Sequence, residues 1–219
     1  NRNTNDGDVV TFAKDGTTVG SIGTNSGYMV IGSPVGTDAH LLIGNDLVHP
    51  ATSTGAAKDG AISLGGSSNR FKDAYLSGGV YLGGTAAANK LDVYEEGTWT
   101  VGFNGATVTP TVSTGRYTRI GQVVYFQYYS GASTIADAGG GAQISGLPYQ
   151  VASSSTGYVP GSTAHNTFFG GSATVGTEFY ANAGSSVLGF ITRGGTSASV
   201  FVNGTTKYIM VSGFYVTDL

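Results

Sequence analysis

Cysteine is absent from the sequence, so neither a disulfide framework nor a thiolate metal site can form. Charge is scarce: Asp, Glu, Lys and Arg make up 11% of 219 residues, and ten bases against thirteen acids leave a formal net charge of −3. A chain so poor in bases lacks the phosphate-tracking electrostatics of a nucleic-acid binder. No apolar run nears the ~20 residues that span a bilayer, and no basic leader precedes the chain, so no membrane insertion is expected. Low net charge with 11% aromatic residues also argues against ordinary disorder.

Glycine is what the chain has in quantity, 37 residues, with Ser, Thr and Ala filling much of the remainder. Such a composition folds with many turns and a thin core, and without disulfides its natural further source of stability is oligomerisation. The opening at Asn1 without Met is read as the start of a fragment or a processed form. Composition changes near Gly97: residues 1–97 hold ten of the thirteen acids and six of the ten bases, against three and four in residues 98–219. Two regions are therefore expected, 1–97 and 98–219.

The first region repeats a short β-prone run closed by glycine, at Tyr28–Gly32, His40–Gly44, Ala61–Gly65 and Val80–Gly83. From Ile31 to Ile43, Leu64 and Leu82 the steps are 12, 21 and 18 residues, too uneven for a solenoid with one fixed repeat. Each run carries two or three large apolar side chains worth ~2 kcal/mol apiece when buried, against ~1–2 kcal/mol per residue for ordering the backbone. A lone run should not stay folded, whereas three copies wound about one axis would bury every run. Residues 1–97 are thus predicted to form an intertwined trimeric shaft, with Ile31, Ile43, Leu64 and Leu82 at the subunit interface. A short helix is allowed after Asn69, where Phe71 and Tyr75 stand at i,i+4.

The second region reads as an antiparallel β-sandwich of jelly-roll type. Asn104-Gly105 and Asn203-Gly204 each lie between β-prone runs and predict type I′ hairpins. Further strands are expected at 115–120, 122–129, 167–174, 178–180, 186–192 and 213–217. In 123–129 the period of two puts Val124, Phe126 and Tyr128 on one face and Val123, Tyr125 and Tyr129 on the other. Both faces are apolar, so Tyr125 and Tyr129 are expected to meet a neighbouring subunit, the alternative being an aromatic-covered outer face. Trp99 is assigned to the core.

Catalytic chemistry is sparsely supplied. The second region offers only Asp137, Glu178 and Asp218 for a glycosidase pair, and only His40, His49 and His165 are available as a general base. No enzyme activity and no cofactor are expected. Asp38 with His40, Asp46 with His49, or Asp6 with Asp8 could be tripled into ligand sets on a trimer axis, but polar turn residues explain them better, and no metal is assigned. Sugar recognition instead needs exposed aromatic rings beside amides and carboxylates. Loops at 130–143 and 151–166 supply these, which makes Tyr158 and His165 the foremost contact candidates, followed by Tyr149, Asn166 and Asp137.

The stretch from Ile62 through Asn69-Arg70-Phe71-Lys72-Asp73-Ala74-Tyr75-Leu76 to Gly84 resembles a segment of tail fibre proteins of marine and cyanobacterial phages. Leu91-Asp92-Val93-Tyr94-Glu95-Glu96-Gly97-Thr98-Trp99-Thr100 is similar to the junction that leads those fibres into their terminal domain, with Val93 where a second Asp is usual. Gly115-Arg116-Tyr117-Thr118-Arg119-Ile120-Gly121-Gln122-Val123-Val124 also resembles the opening of a fibre-tip sandwich. The likeness covers residues 60–125 and implies a homotrimeric shaft, a distal knob, upstream fibre or baseplate partners, and a virion protein that meets a polysaccharide or protein receptor outside the host cell. No terminal autoproteolytic chaperone is recognisable. A purely structural spacer and a fragment of a polysaccharide depolymerase are the alternatives.

Overall fold

The computed structural model describes residues 5–33, 39–154, 159–169, 177–192 and 199–218. The described residues are all-β: they form nineteen strands, mostly antiparallel pairs in several sheets, with one 3-10 turn at Ala87–Asn89 and no α-helix. The chain divides into two compact units, Asn1–Tyr75 and Leu76–Leu219, and the compositional change at Gly97 lies inside the second.

The first unit contains a five-stranded antiparallel meander of β1 (Gly7–Lys14), β2 (Thr17–Asn25), β3 (Tyr28–Gly32), β4 (His40–Gly44) and β5 (Leu47–Ala51). Three of its turns have two central residues with positive φ: Asp15-Gly16, Ser26-Gly27 and Asn45-Asp46. This is the type I′ geometry whose twist matches that of the flanking strands. The sequence treats each apolar run as unable to stand without copies of itself. Within one chain, however, the runs at 28–32 and 40–44 pair with each other, and β2 and β5 flank them. Only Val30, Leu42 and Ala51 are buried apolar residues here, with Tyr28 packed against them. The opposite face carries Ile31 against Leu41 and Met29 against Ile43, and Ile31, Leu41 and Met29 are exposed.

Beyond the meander the expectations need two corrections. The run at 61–65 forms no strand, and the segment after Asn69 forms no helix. Asn69 instead closes a tight turn, exchanging backbone hydrogen bonds with Gly66 at 2.9 and 3.1 Å. Paired glycines at 65–66 and 78–79 bracket a stretch too short to nucleate an isolated helix.

In the second unit β6 (Val80–Tyr81) pairs with β7 (Lys90–Leu91). The remaining strands are β8 (Tyr94–Thr100), β9 (Gly102–Asn104), β10 (Thr107–Pro110), β11 (Thr114–Ile120), β12 (Val123–Tyr129), β13 (Ser133–Ala136), β14 (Gln143–Ser145), β15 (Val159–Ala164), β16 (Thr177–Ala181), β17 (Val187–Thr192), β18 (Gly204–Lys207) and β19 (Met210–Val216). Nine of them form one antiparallel sheet in the order β8-β11-β12-β19-β15-β16-β17-β14-β9. Its first and last strands are joined through Val101 alone, so the sheet curls around a single core. A smaller sheet, β10-β13-β18, contributes Ile135 and Val108 to the same core.

The period of two holds along the central strands. Val124, Phe126 and Tyr128 point inward and are buried, while Tyr125, Gln127 and Tyr129 point outward. Val211 and Tyr215 repeat the inward pattern on β19, leaving Met210, Ser212 and Phe214 outside. The core is largely aromatic: Trp99 meets Phe126 and Tyr128 at ring-centroid distances of 6.5 and 6.3 Å, and Phe168, Phe169, Phe179, Phe190 and Phe201 continue the cluster.

Neither Asn-Gly site is a hairpin. Gly105 adopts φ 93, but β9 pairs with β14 and β10 with β13, so the turn carries the chain from one sheet to the other. Asn203 accepts a 2.9 Å hydrogen bond from the Ala138 amide, and Gly204 opens β18 rather than a turn. No strand forms at 167–169, where consecutive Phe168 and Phe169 are both buried, a pattern that alternation forbids; residues 170–174 lie outside the described set. The arms at 130–143 and 151–166 are not continuous loops, since β13 and β15 run through them.

Trp99 stands opposite Gly115 in the β8–β11 register, and a Cβ at Gly115 would collide with the indole Nε1. Gly115→Ala is therefore expected to destabilise the second unit by ~1–3 kcal/mol through overpacking. Urea unfolding followed by the fluorescence of this single tryptophan reads the shift; an unchanged midpoint would show that the indole has room to move.

Candidate functional site

The outward faces of β8, β11, β12, β19 and β15 stack in rows set by the strand register. One row runs Thr98, Arg116, Gln127, Ser212; the next on one side holds Thr118, Tyr125 and Phe214; the next on the other holds Thr114, Tyr129, Met210 and Ala164. The polar row lies between the two bulky ones and borders two open grooves, of ≈720 and ≈540 Å³, which share Arg116, Gln127 and Ser212. Tyr125 walls the first groove and lies 6.0 Å from Phe214 between ring centroids. Tyr129 and Met210 wall the second.

Among the described residues, Arg116, Gln127 and Ser212 make no side-chain hydrogen bond or ion pair, although other polar groups of the second unit are taken up internally. Glu96 borders the larger groove and accepts the Tyr94 hydroxyl.

Beside the second groove three rings lie nearly parallel. His165 and Tyr208 stack at 4.7 Å with planes 9° apart, and Tyr129 lies 5.9 Å from His165. His165 adopts φ 45, a left-handed turn conformation that swings its ring onto Tyr208. The next residue, Asn166, donates its Nδ2 to Thr163 Oγ1 at 3.2 Å, while its Oδ1 is buried without a hydrogen-bond partner among the described residues.

On the inward side of β8 and β11, Glu95 is gripped by two phenols. Tyr117 and Tyr149 each donate a hydroxyl to its carboxylate. The Arg119 guanidinium sits 4.5 Å above the Tyr149 ring while its Nε donates to Gly121 O at 2.9 Å. Tyr215 then donates its hydroxyl to Tyr149 O at 2.9 Å. The two phenolic donors, aided by the Arg119 charge, hold the Glu95 carboxyl below its usual range. The same carboxylate raises the Tyr117 phenol, and burial pushes Tyr215 up to about 12. The cluster is a latch that pins the segment around Tyr149 to the sheet.

The contact candidates thus belong to separate networks. His165 joins the ring stack and Asn166 binds Thr163; Tyr149 is held in the Glu95 latch; Asp137, at φ 55, accepts the Thr107 hydroxyl at 3.2 Å. Tyr158 lies outside the described residues, as does Asp38. Of the polar turn residues, Asp46 occupies a type I′ turn, Asp6 accepts the Ser26 amide at 2.8 Å and His40 is buried. Leu64 is 87% exposed and Leu82 is exposed as well. Arg116, Gln127, Ser212 and Tyr208 were not singled out from sequence, though the period of two would have placed Arg116 outward from the start.

Comparison with protein-family models, with curated proteins and with solved structures finds no match.

The Glu95 latch has a definite pH signature. A carboxylate depressed in the fold contributes stability above its unfolded pKa of ~4.3, and that contribution is lost as pH falls through the folded value. A raised phenol contributes below its unfolded value of ~10 and loses that contribution as pH rises beyond it. Glu95→Gln is expected to flatten the acid limb of a denaturant-midpoint profile below about pH 4.5. An acid limb identical to that of the parent protein would remove Glu95 from the account.

Proposed function

We propose that this chain is the distal part of a homotrimeric viral tail fibre, an adhesin that recognises a polysaccharide on the surface of a host cell. The reading rests on one observation: both units expose large apolar and aromatic side chains that nothing in a single copy covers. In the first unit Tyr75 is 93% exposed, Leu64 87% and Phe71 66%, along a segment with almost no sheet pairing to hold it. In the second, Leu76 and Leu82 are exposed as well, as are Tyr81 and Val80 on their two-residue strand. Side chains of this size lose ~1.5–3 kcal/mol each by staying in water. Wrapping with two further copies offsets that loss at every position at once, since cyclic symmetry repeats each contact three times. Ile31 and Ile43, on the apolar face of the meander, join Leu64 and Leu82 in the proposed shaft interface.

Support for recognition comes from the tip. Aromatic rings stand at its surface beside amides and hydroxyls, in the stack of His165, Tyr208 and Tyr129 next to Asn166, and along the walls of the groove. Sugars present apolar C–H faces flanked by hydroxyls and suit such surfaces. The resemblance of residues 60–125 to phage tail fibres points the same way.

Light scattering of the dilute chain is expected to give a mass near three times 22.2 kDa, and a folded monomer would overturn the proposal. The purified chain is also expected to compete with virus for adsorption to host cells. A trimer that leaves adsorption untouched would identify a structural spacer instead.

A further inference from the structure

The geometry points to the groove across β8, β11, β12 and β19 as a binding site for an acidic polysaccharide, with Arg116 as the residue that takes its carboxylate. This rests on the adhesin reading and specifies the class of receptor. The first observation is the shape. Successive outward residues on a strand lie ~6.8 Å apart, so Tyr125 and Tyr129, four residues apart, stand ~13–14 Å from each other along the strand. Between these aromatic walls the row of Arg116, Gln127 and Ser212 borders two open grooves, one on the Tyr125 side and one on the Tyr129 side. One extended sugar strand laid along this row meets Tyr125 and Phe214 on one side and Tyr129 on the other.

The second observation is the chemistry of the polar row. Arg116 is exposed and forms no ion pair or hydrogen bond among the described residues, and its row neighbours Gln127 and Ser212 are equally uncommitted. The tip has few other cations: Arg119 is bound to Gly121 O and the Tyr149 ring, Lys207 lies on β18 in the other sheet, and Arg193 is outside the described residues. A guanidinium presents a planar fork that matches a carboxylate with two parallel hydrogen bonds. The amide of Gln127 and the hydroxyl of Ser212 can both donate and accept, as sugar hydroxyls require. Glu96 at the groove edge is already hydrogen-bonded by Tyr94, and its charge disfavours a second acidic unit there. The carboxylate is therefore placed toward the Gln127 side of Arg116.

A second copy of the chain is the competing occupant. It would have to fill both grooves and bury an arginine with no partner of its own, which is unfavourable unless an acid is brought to it. A sugar carboxylate supplies that acid directly.

Isothermal titration of the full chain with hexagalacturonate, hexaguluronate and an oligosialic acid, against neutral maltohexaose, tests the assignment. At least one acidic probe is expected to bind more tightly than maltohexaose, and more weakly as salt is added. Arg116→Gln is expected to lower that affinity about tenfold or more, and Arg116→Lys to restore part of it. Equal affinity for neutral and acidic probes, no binding of any acidic probe, or an unchanged Arg116→Gln variant would each overturn the site. So would hydroxyl-radical footprinting that finds Tyr125 and Phe214 protected in the ligand-free protein, since the face would then be an interface between copies. If Arg116→Gln blocks virus adsorption as well as the parent chain does, the groove falls while the adhesin reading stands. If the parent chain blocks nothing yet binds an acidic probe through Arg116, the adhesin reading falls and the site stands.

Discussion

Aromatic rings lying over glycines of the neighbouring strand hold the second unit together. Trp99 faces Gly115, Tyr117 lies over Gly97, Phe179 over Gly161, and Tyr180 against Gly189, and in each pair a Cβ on the glycine would press into the ring. A glycine within a strand ordinarily weakens the sheet, because it adds backbone entropy and leaves a hole. A ring laid across it fills the hole and covers the bared backbone. This is how a chain with 37 glycines and one tryptophan still builds a core in which Phe168, Phe179, Phe190 and Tyr215 are almost wholly buried. The arrangement also fixes register, since a slip by one residue would set every ring against a Cβ.

Register in turn determines what lies outside. A strand that sends Phe126 and Tyr128 inward must send Tyr125, Gln127 and Tyr129 outward, and its neighbours must align Arg116 and Ser212 with Gln127. The groove is therefore a consequence of the core. The row it aligns borders both grooves, with Tyr125 on one side and Tyr129 and Met210 on the other. The Glu95 latch serves the same edge of the sheet from within. By tying Tyr149 to β8 and β11 it holds the inward side of the strands whose outward side carries Arg116.

Much of this was legible in the residues, and the failures have physical causes. The all-β class, the alternation in 123–129 and the burial of Trp99 follow from side-chain pattern alone. The two Asn-Gly pairs misled because a turn-forming pair specifies a bend but not the partners of the strands beside it. β9 and β10 leave Asn104-Gly105 for different sheets, and Asn203 binds the Ala138 amide instead of turning the chain. The real type I′ turns, at Asp15-Gly16, Ser26-Gly27 and Asn45-Asp46, were hidden by weakly apolar strands such as β1 and β5. His165 and Asn166 were found as a polar pair at a surface turn, but the ring beside them, Tyr208, comes from 43 residues away and no local pattern announces it. Arg116 escaped notice for the same reason. Its meaning comes from the walls that β12 and β19 raise around it.

Scarcity of charge gives that arginine its weight. On a densely charged surface a guanidinium finds a carboxylate within reach and contributes little, because exposed ion pairs are worth ~0–1 kcal/mol. Here the acids of the neighbouring strand are taken up by phenols, Glu95 by Tyr117 and Tyr149 and Glu96 by Tyr94, and Asp137 and Asp218 are engaged with Thr107 and Ser153. Arg116 therefore keeps its hydrogen-bonding capacity for something outside the chain. The same internal pairing that takes up the nearby carboxylates leaves a cation open for an acid on a sugar.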